Sequence, residues 1–432
     1  LHLAKLPHVA KILNGMNINR DSYLNQLIEA QGNNLIKIIT GIRRCGKSFL
    51  LFELFYKHLK DSGIDDNHII QVDLEDIRNI ELHDPIALVK YIDKQIVDNS
   101  QYYILLDEVQ YVDKFEDVLN SYLKKPNVDV YVTGSNSKFL SSDIATRFRG
   151  RGDEIHVYPL SFSEYYEGIG GDIYLAWQDY LVYGGLPQIL FLKSDQSKQQ
   201  YLKNLCNTVY IKDLQERNKI QKTAEFEQLI TIMASTIGAP CNPTKLANTY
   251  KTAIHSAITP QTITTYLKYY QDAFMLEKAQ RYDVKGRKYI NSLSKYYFSD
   301  MGIRNALLDF RQQEETHIME NIIYNELRIR GYSVDVGIVE TKYRDENHSW
   351  QRKQLEVDFV ATLGSKCYYI QSALAFPDEE KRRQESASLR NIKDNFRKII
   401  IVKERIKPWY DANGILTIGL FDFLLNREVI DF

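Results

Sequence analysis

The sequence predicts an α/β protein built on a mostly parallel sheet covered by helices on both faces. Three observations carry that prediction. Strand-like and helix-like segments alternate through the first half of the chain. A glycine-bearing turn, Gly41 to Ser48, joins the first of these strands to an amphipathic helix. A later apolar strand ends in two adjacent carboxylates, Asp107 and Glu108.

The strands read in order. Leu35 to Thr40 is a short apolar run that stops at Gly41. Ser48 to Lys60 follows as a helix, with Leu50, Leu51, Leu54, Phe55 and Leu59 near helical spacing. Ile69 to Asp73, Tyr102 to Asp107, Val128 to Thr133 and Glu154 to Tyr158 are the further strands, rich in β-branched and aromatic residues. From Ser161 to about Ile220 the pattern is helical, broken by Gly184-Gly185 and Pro187. Short helices and a hairpin are expected from Thr223 to Asp300, then a helix and a strand-rich block to the end.

Composition narrows the function classes. The chain has 432 residues, 44% hydrophobic and 26% charged, with net charge -1. A balance this close to neutral gives no bulk attraction to nucleic acid or membrane, so any basic surface must be local. Cys45, Cys206, Cys241 and Cys367 form no Cys-x-x-Cys pair, which argues against structural zinc or a disulfide scaffold and for a reducing cytoplasm. No apolar run reaches the ~18 residues of a membrane helix, so no membrane partner is expected.

Gly41-Ile42-Arg43-Arg44-Cys45-Gly46-Lys47-Ser48 fits G-x-x-x-x-G-K-[ST]. Glycines let the backbone turn its N–H groups onto phosphate oxygens. Lys47 can reach the β- and γ-phosphates, Ser48 can ligate Mg²⁺, and the following helix, through Phe49, puts its positive end at the anion. The expected ligands are therefore ATP and Mg²⁺, held by Gly41, Arg43, Arg44, Cys45, Gly46, Lys47, Ser48 and Phe49. Asp107 would hold the metal with Ser48, and Glu108 would orient or deprotonate the attacking water. No Asn-Lys-x-Asp guanine-reading motif occurs, which favours ATP over GTP. Cys45, inside the loop at a helix start, is either a nucleotide-sensitive thiol or a small residue that fits a tight turn.

The next strand ends Val132-Thr133-Gly134-Ser135-Asn136. Ser135 or Asn136 would touch the γ-phosphate; a helix N-cap before Lys138 is the alternative. Arg147-Phe148-Arg149-Gly150-Arg151 packs three arginines into five residues. It reads either as a cation for a nucleotide on an adjacent subunit or as a solvated basic turn.

These stretches resemble the AAA+ superfamily over about 18–190, and within it a prokaryotic group with a G-x-R-R-x-G-K-S loop. The resemblance is carried by G-I-R-R-C-G-K-S at 41–48, L-L-D-E-V-Q at 105–110 and V-T-G-S-N-S at 132–137. G-R at 150–151, P-L-S-F-S-E at 159–164 and Y-G-G-L-P at 183–187 add to it. It implies a five-stranded core over 1–160, a helical lid over 161–222, a winged helix over 223–312 and a C-terminal domain over 313–432. It also implies a polar sensor at Ser135 or Asn136 and an arginine finger at Arg149 or Arg151. Pro243 to Tyr250 and Thr259 to Tyr270 would form the helix-turn-helix pair, and 278–298 a wing with its turn near Gly286. Lys268, Lys285, Arg287 and Lys288 could meet DNA phosphates; packing or protein contact, including assembly of several copies, is the other use of such a segment.

In the last domain, Arg352 to Thr362 and Cys367 to Phe376 read as two strands around Gly364-Ser365. A symmetric hairpin would pair Asp358 with Gln371 and Glu356 with Ala373 on one surface, near Glu320 on the preceding helix. This resembles the restriction-endonuclease-like fold, in which an acid on one strand and a Glu-x-Lys on the next hold a metal. Here the third motif is Gln371-Ser372-Ala373. An amide replaces the acid and alanine the lysine, so no hydrolysis is expected unless a lysine elsewhere substitutes.

Overall fold

Apolar strands that end in polar turns assemble the sheet that carries the phosphate loop. The structure, a computed structural model, describes residues 18–135, 150–253, 255–289, 293–312, 314–344, 350–376 and 378–431. The chain divides into two units. The first runs to Leu160 and takes in Leu186–Phe191 and Asp272–Phe274; the second holds Ser161–Gly185, Leu192–Gln271 and Met275–Phe432.

In the first unit, helix α1 (Asp21–Glu29) precedes strand β1 (Ile36–Thr40). Helix α2 runs over 47–61 as an α turn, a π-helical stretch (Leu50–Phe55) and a second α segment (Tyr56–Asp61). Then come β2 (Ile69–Asp73), α3 (Pro85–Asp93), β3 (Tyr102–Asp107), α4 (Phe115–Tyr122), β4 (Val128–Thr133) and β5 (Gly152–His156). The five strands are parallel, in the order β2-β3-β4-β1-β5. On one face Ile38, Val72, Ile104 and Val132 pack against Leu88 and Ile92 of α3 and Leu119 and Tyr122 of α4. On the other, Phe55 of α2 lies 4.4 Å from the Tyr131 ring. The expected parallel sheet, covered on both faces, is thus the fold observed.

Lys37 in the middle of β1 departs from the apolar pattern. It is fully buried and ion-paired to Asp129 of β4, which also accepts the Tyr131 hydroxyl at 3.0 Å. A buried ammonium survives only with such a partner. Strand β5 starts two residues earlier than its apolar run suggests, because Gly152 and Asp153 pair with Ile36 and Lys37.

The second unit opens with α5 (Phe162–Ile169), α6 (Ile173–Tyr183) and α7, helical over 195–217. Ser161 caps α5 in a reciprocal box with Glu164. Next are α8 (Thr223–Ser235), α9 (Pro243–Ala253) and α10 (Pro260–Asp272), the last capped by Thr259. Strands β6 (Leu276–Ala279), β7 (Arg281–Asp283), β8 (Lys288–Tyr289) and β9 (Lys295–Phe298) follow. β6 pairs with β9, and β7 with β8, about the turn at 284–287. The hairpin tip is not a free wing, however: β7 adds in parallel to the C-terminal sheet. Lys285 also donates to the Glu340 carbonyl there.

Helices α11 (Met301–Leu307) and α12 (Glu315–Ile329) lead to β10 (Ser333–Arg344), β11 (Trp350–Leu363) and β12 (Lys366–Ala373). Helix α13 (Glu379–Arg390), β13 (Arg397–Val402), β14 (Trp409–Tyr410), β15 (Ile415–Gly419) and α14 (Leu420–Leu425) complete the chain. The sheet order is β14-β15-β13-β12-β11-β10-β7-β8. Among the described residues no helix is long and apolar enough to cross a membrane.

Candidate functional site

The site lies where β1, β3 and β4 end. Parallel strands bring their carboxyl ends to one edge, the usual place for a ligand in an α/β sheet. Beyond Thr40 the chain takes three left-handed positions, Gly41 at φ 140°, Arg44 at 67° and Gly46 at 103°. Gly41 has no room for a side chain, since a Cβ there would sit 2.1 Å from the Val157 carbonyl oxygen. The loop therefore curls over the start of α2. Lys47 is buried and its Nζ donates to the carbonyls of Gly41 and Ile42 at 3.1 and 3.2 Å.

Asp107 ends β3, buried and hydrogen-bonded to the hydroxyls of Thr133 and Ser48. Burial, with the neighbouring charge of Glu108, holds its carboxyl up at about 7. Glu108 follows at φ 50°, a backbone state uncommon outside glycine and frequent at working sites. Its N–H donates to the Thr133 hydroxyl at 2.9 Å, and its Oε2 accepts from Ser135 Oγ at 2.9 Å and from Gln110. Burial works against its charge. Lys47, the bonds from Gln110 and Ser135, and Arg43 outweigh it, so Glu108 lies below the usual carboxylate range. One of the paired acids is thus ionised firmly and the other weakly.

Arg43 is half-buried, and its Nε donates to Ser135 Oγ at 3.3 Å. Arg44 is exposed. Cys45 donates to the Val157 carbonyl at 3.3 Å, and burial pushes its thiol up. That outcome favours the small-residue reading over the reactive thiol. The Arg151 carbonyl accepts from Ile36 N–H at 2.9 Å, at the amino end of β1. The phosphate loop lies at the opposite edge, roughly 15 Å away at ~3.3 Å per residue. Asn136 and Arg149 lie outside the described residues. Thr133 and Gln110, which bond the two acids, sit inside the quoted motifs, yet nothing in their spacing marks them. The hard oxygen donors of Ser48 and Asp107, side by side, suit Mg²⁺.

A second polar cluster is buried in the C-terminal unit. Lys295 Nζ lies 3.0 Å from Glu320 and 2.7 Å from Glu356, and Tyr297 donates to Glu320 at 2.8 Å. A lysine thus does stand among these acids, supplied by β9 rather than β12. Asp358 accepts from Gln371 Nε2 at 2.9 Å, and from the N–H and hydroxyl of Ser372, each at 2.8 Å. The expected four-residue surface does not form. Ala373 packs with Tyr369, Val357 and Leu389 in an apolar cluster, and Gln371 takes a bond from Ser388 of α13. The reason is a bulge: Gly337 pairs with Val357 but Asp335 with Val360, which breaks the alternation of β11 around Asp358.

Burial, with Glu320's charge adding, raises the Asp358 carboxyl to about 7. Its unfolded value is ~3.9. The folded state therefore binds the proton more tightly, and stability falls as pH rises through this window. Asp358→Asn gives up one set of accepted bonds, from Gln371 or from Ser372, but it cannot ionise. Its melting temperature relative to wild type is therefore expected to be higher at pH 8 than at pH 5, by roughly 2–4 °C. An equal change at both pH values, followed by thermal melting, would contradict this.

Comparisons with known proteins agree with this geometry. A profile described as an AAA domain matches residues 33–166, and one described as Domain of unknown function (DUF8612) matches 175–314. A Walker-type ATPase of Pyrococcus abyssi has a similar fold, with TM-score 0.50 and 15% identity, covering 68% of this chain and 96% of that one. Residues 33–166 are thus an AAA-type domain with a P-loop fold. The chain belongs to the same family as a Haemophilus influenzae protein described as uncharacterized, 30% identical over 415 residues, 95% of this chain and 99% of that protein. An uncharacterized Methanocaldococcus jannaschii protein is 29% identical over 391 residues, 87% of this chain and 82% of its own.

Proposed function

We propose that the chain binds Mg·ATP at 41–48 and hydrolyses it with Glu108, working as a switch or motor on a partner. The carrying observation is the convergence of Lys47, Ser48, Asp107, Glu108 and Ser135 at one sheet edge. Lys47 exchanges its bonds to the Gly41 and Ile42 carbonyls for phosphate oxygens. Ser48 and Asp107 would hold Mg²⁺, which would supply positive charge to the phosphates. Glu108, kept ionised by its neighbours, orients the water and takes up its proton. Ser135, or Asn136 next to it in the sequence, serves as the polar sensor of the terminal phosphate. Arg151, at the other edge of the sheet, would meet a nucleotide only on a neighbouring copy. Four free cysteines suit a cytoplasmic protein.

Equilibrium titration with a fluorescent ATP analogue tests the binding half of this reading. Binding that needs Mg²⁺ for full strength, and that unlabelled ATP displaces better than GTP, is the expected result. Indifference to Mg²⁺, or equal displacement by both nucleotides, would contradict it.

A second reading adds DNA. Helices α8 to α10 and strands β6 to β9 follow the order of a winged helix, although β7 joins the C-terminal sheet and Lys285 is bonded there, and Lys268, Arg287 and Lys288 are exposed. Duplex affinity that falls steeply with salt would support it. The C-terminal sheet reads as a scaffold rather than a nuclease: Lys295 does stand beside Glu320 and Glu356, but Gln371 and Ser372 take the Asp358 oxygens that a metal would need. Nicking of plasmid DNA in Mg²⁺ or Mn²⁺ that disappears in Asp358→Ala would overturn that.

A further inference from the structure

We propose that Arg43 is a catalytic residue supplied in cis, its guanidinium contacting the terminal phosphate of ATP bound to its own chain. The inference rests on reading 41–48 as the ATP site. Arg43 is the third residue of the phosphate loop, and its Nε donates to Ser135 Oγ at 3.3 Å. Ser135 Oγ in turn donates to Glu108 Oε2 at 2.9 Å. An unbroken chain of contacts thus links the loop after β1, the end of β4 and the acid after β3. The terminal phosphate must lie inside this triangle, because Lys47, the loop N–H groups and Glu108 all converge on it. A guanidinium one hydroxyl away from the water-orienting carboxylate is within reach of that phosphate's oxygens.

Among the described residues, the other arginines near the loop are placed differently. Arg20 is buried and donates to the Tyr158 carbonyl, Arg44 is exposed, and the Arg151 backbone joins the amino end of β1 at the opposite sheet edge. The chemistry asks for a cation at this point. As the water oxygen bonds to the γ-phosphorus, the bond to the ADP oxygen breaks, and charge gathers on the phosphoryl and leaving oxygens. The water's proton passes through Glu108 to the released phosphate, and ADP leaves with the electron pair of the broken bond. Arg43, a planar and permanently charged fork, neutralises those oxygens without titrating. Ser135 holds it beside Glu108 beforehand, so little reorganisation is needed at the moment of transfer.

The test compares the full-length chain with Arg43→Ala and Arg43→Lys. Affinities for ATP and ADP are measured with fluorescent analogues in Mg²⁺, alongside phosphate release at several protein concentrations. Arg43→Ala is expected to slow release by roughly 100-fold or more. It should also lose most of any preference for ATP over ADP, while ADP affinity stays within about threefold. Arg43→Lys should regain part of both, and wild-type specific activity should not depend on protein concentration. Retained ADP affinity in Arg43→Ala shows that the loop is folded. An unchanged ATP:ADP ratio and unchanged turnover in Arg43→Ala would overturn the proposal. So would specific activity that climbs with protein concentration while Arg43→Ala behaves as wild type, the mark of an arginine from a second copy. Wild-type protein that binds neither nucleotide would sink the ATP-site reading itself, and this inference with it.

Discussion

Replacing Glu108 with glutamine is expected to cut phosphate release from Mg·ATP by roughly 100-fold or more while leaving ATP bound. The substitution keeps the shape of a residue that is buried and already placed by its neighbours. Glutamine can still accept from Ser135 and Gln110 through its carbonyl oxygen, so the loop and the end of β4 should hold their positions. What it loses is the negative charge. Lys47 and Arg43 keep that charge on Glu108 in the folded protein, and an amide cannot accept a proton from water. Phosphate release and equilibrium ATP binding, measured on the same preparation, separate the two effects. Lost turnover with retained binding fits a water-orienting role. Lost binding would mean that Glu108 holds the site together, and unchanged turnover would remove it from the chemistry.

Lys295→Met should produce the largest loss of stability. The ammonium is almost wholly buried and bridges Glu320 and Glu356. Taking away the shared cation strands at least one buried carboxylate, a change that typically costs ~3–5 kcal/mol. At ~2–4 °C per kcal/mol for a unit this large, the melting temperature should drop by roughly 6–20 °C. The triple variant Lys295→Met, Glu320→Gln, Glu356→Gln should recover much of that loss, because the stranded charges go with their partner. A Lys295→Met protein that melts with wild type would show that the bridge contributes nothing. Failure of the triple variant to recover would move the effect from charge to packing.

Legibility differed between the two units for a physical reason. Strands β2, β3 and β4 begin and end where the apolar runs do, because each is buried and closes on a polar turn. The phosphate loop was legible because its chemistry constrains consecutive residues. Gly41, for instance, has no space for a side chain beside the Val157 carbonyl. The edge strand β5 starts two residues before its apolar run, since an edge tolerates Gly152 and Asp153 where a central strand would not. Buried charges were the least legible. Lys37 looks like a surface lysine until Asp129 appears beside it from β4, and Lys295 meets acids 25 and 61 residues later in the chain. The hairpin around Gly364 has the register its symmetry suggests, with Phe359 opposite Ile370. The bulge at Asp358, however, depends on pairing with β10 and leaves no mark in β11 itself. Site residues fixed by local backbone can be read from a string, whereas those fixed by cross-strand pairing need the fold.

The most direct test of the ATPase account is steady-state phosphate release from Mg·ATP by the intact chain and by Lys47→Ala. Turnover by the intact chain that vanishes in Lys47→Ala, together with ATP binding, is the result expected of a lysine poised at the mouth of the phosphate loop. No release by the intact chain, with or without duplex DNA, or release that persists in Lys47→Ala, would contradict it.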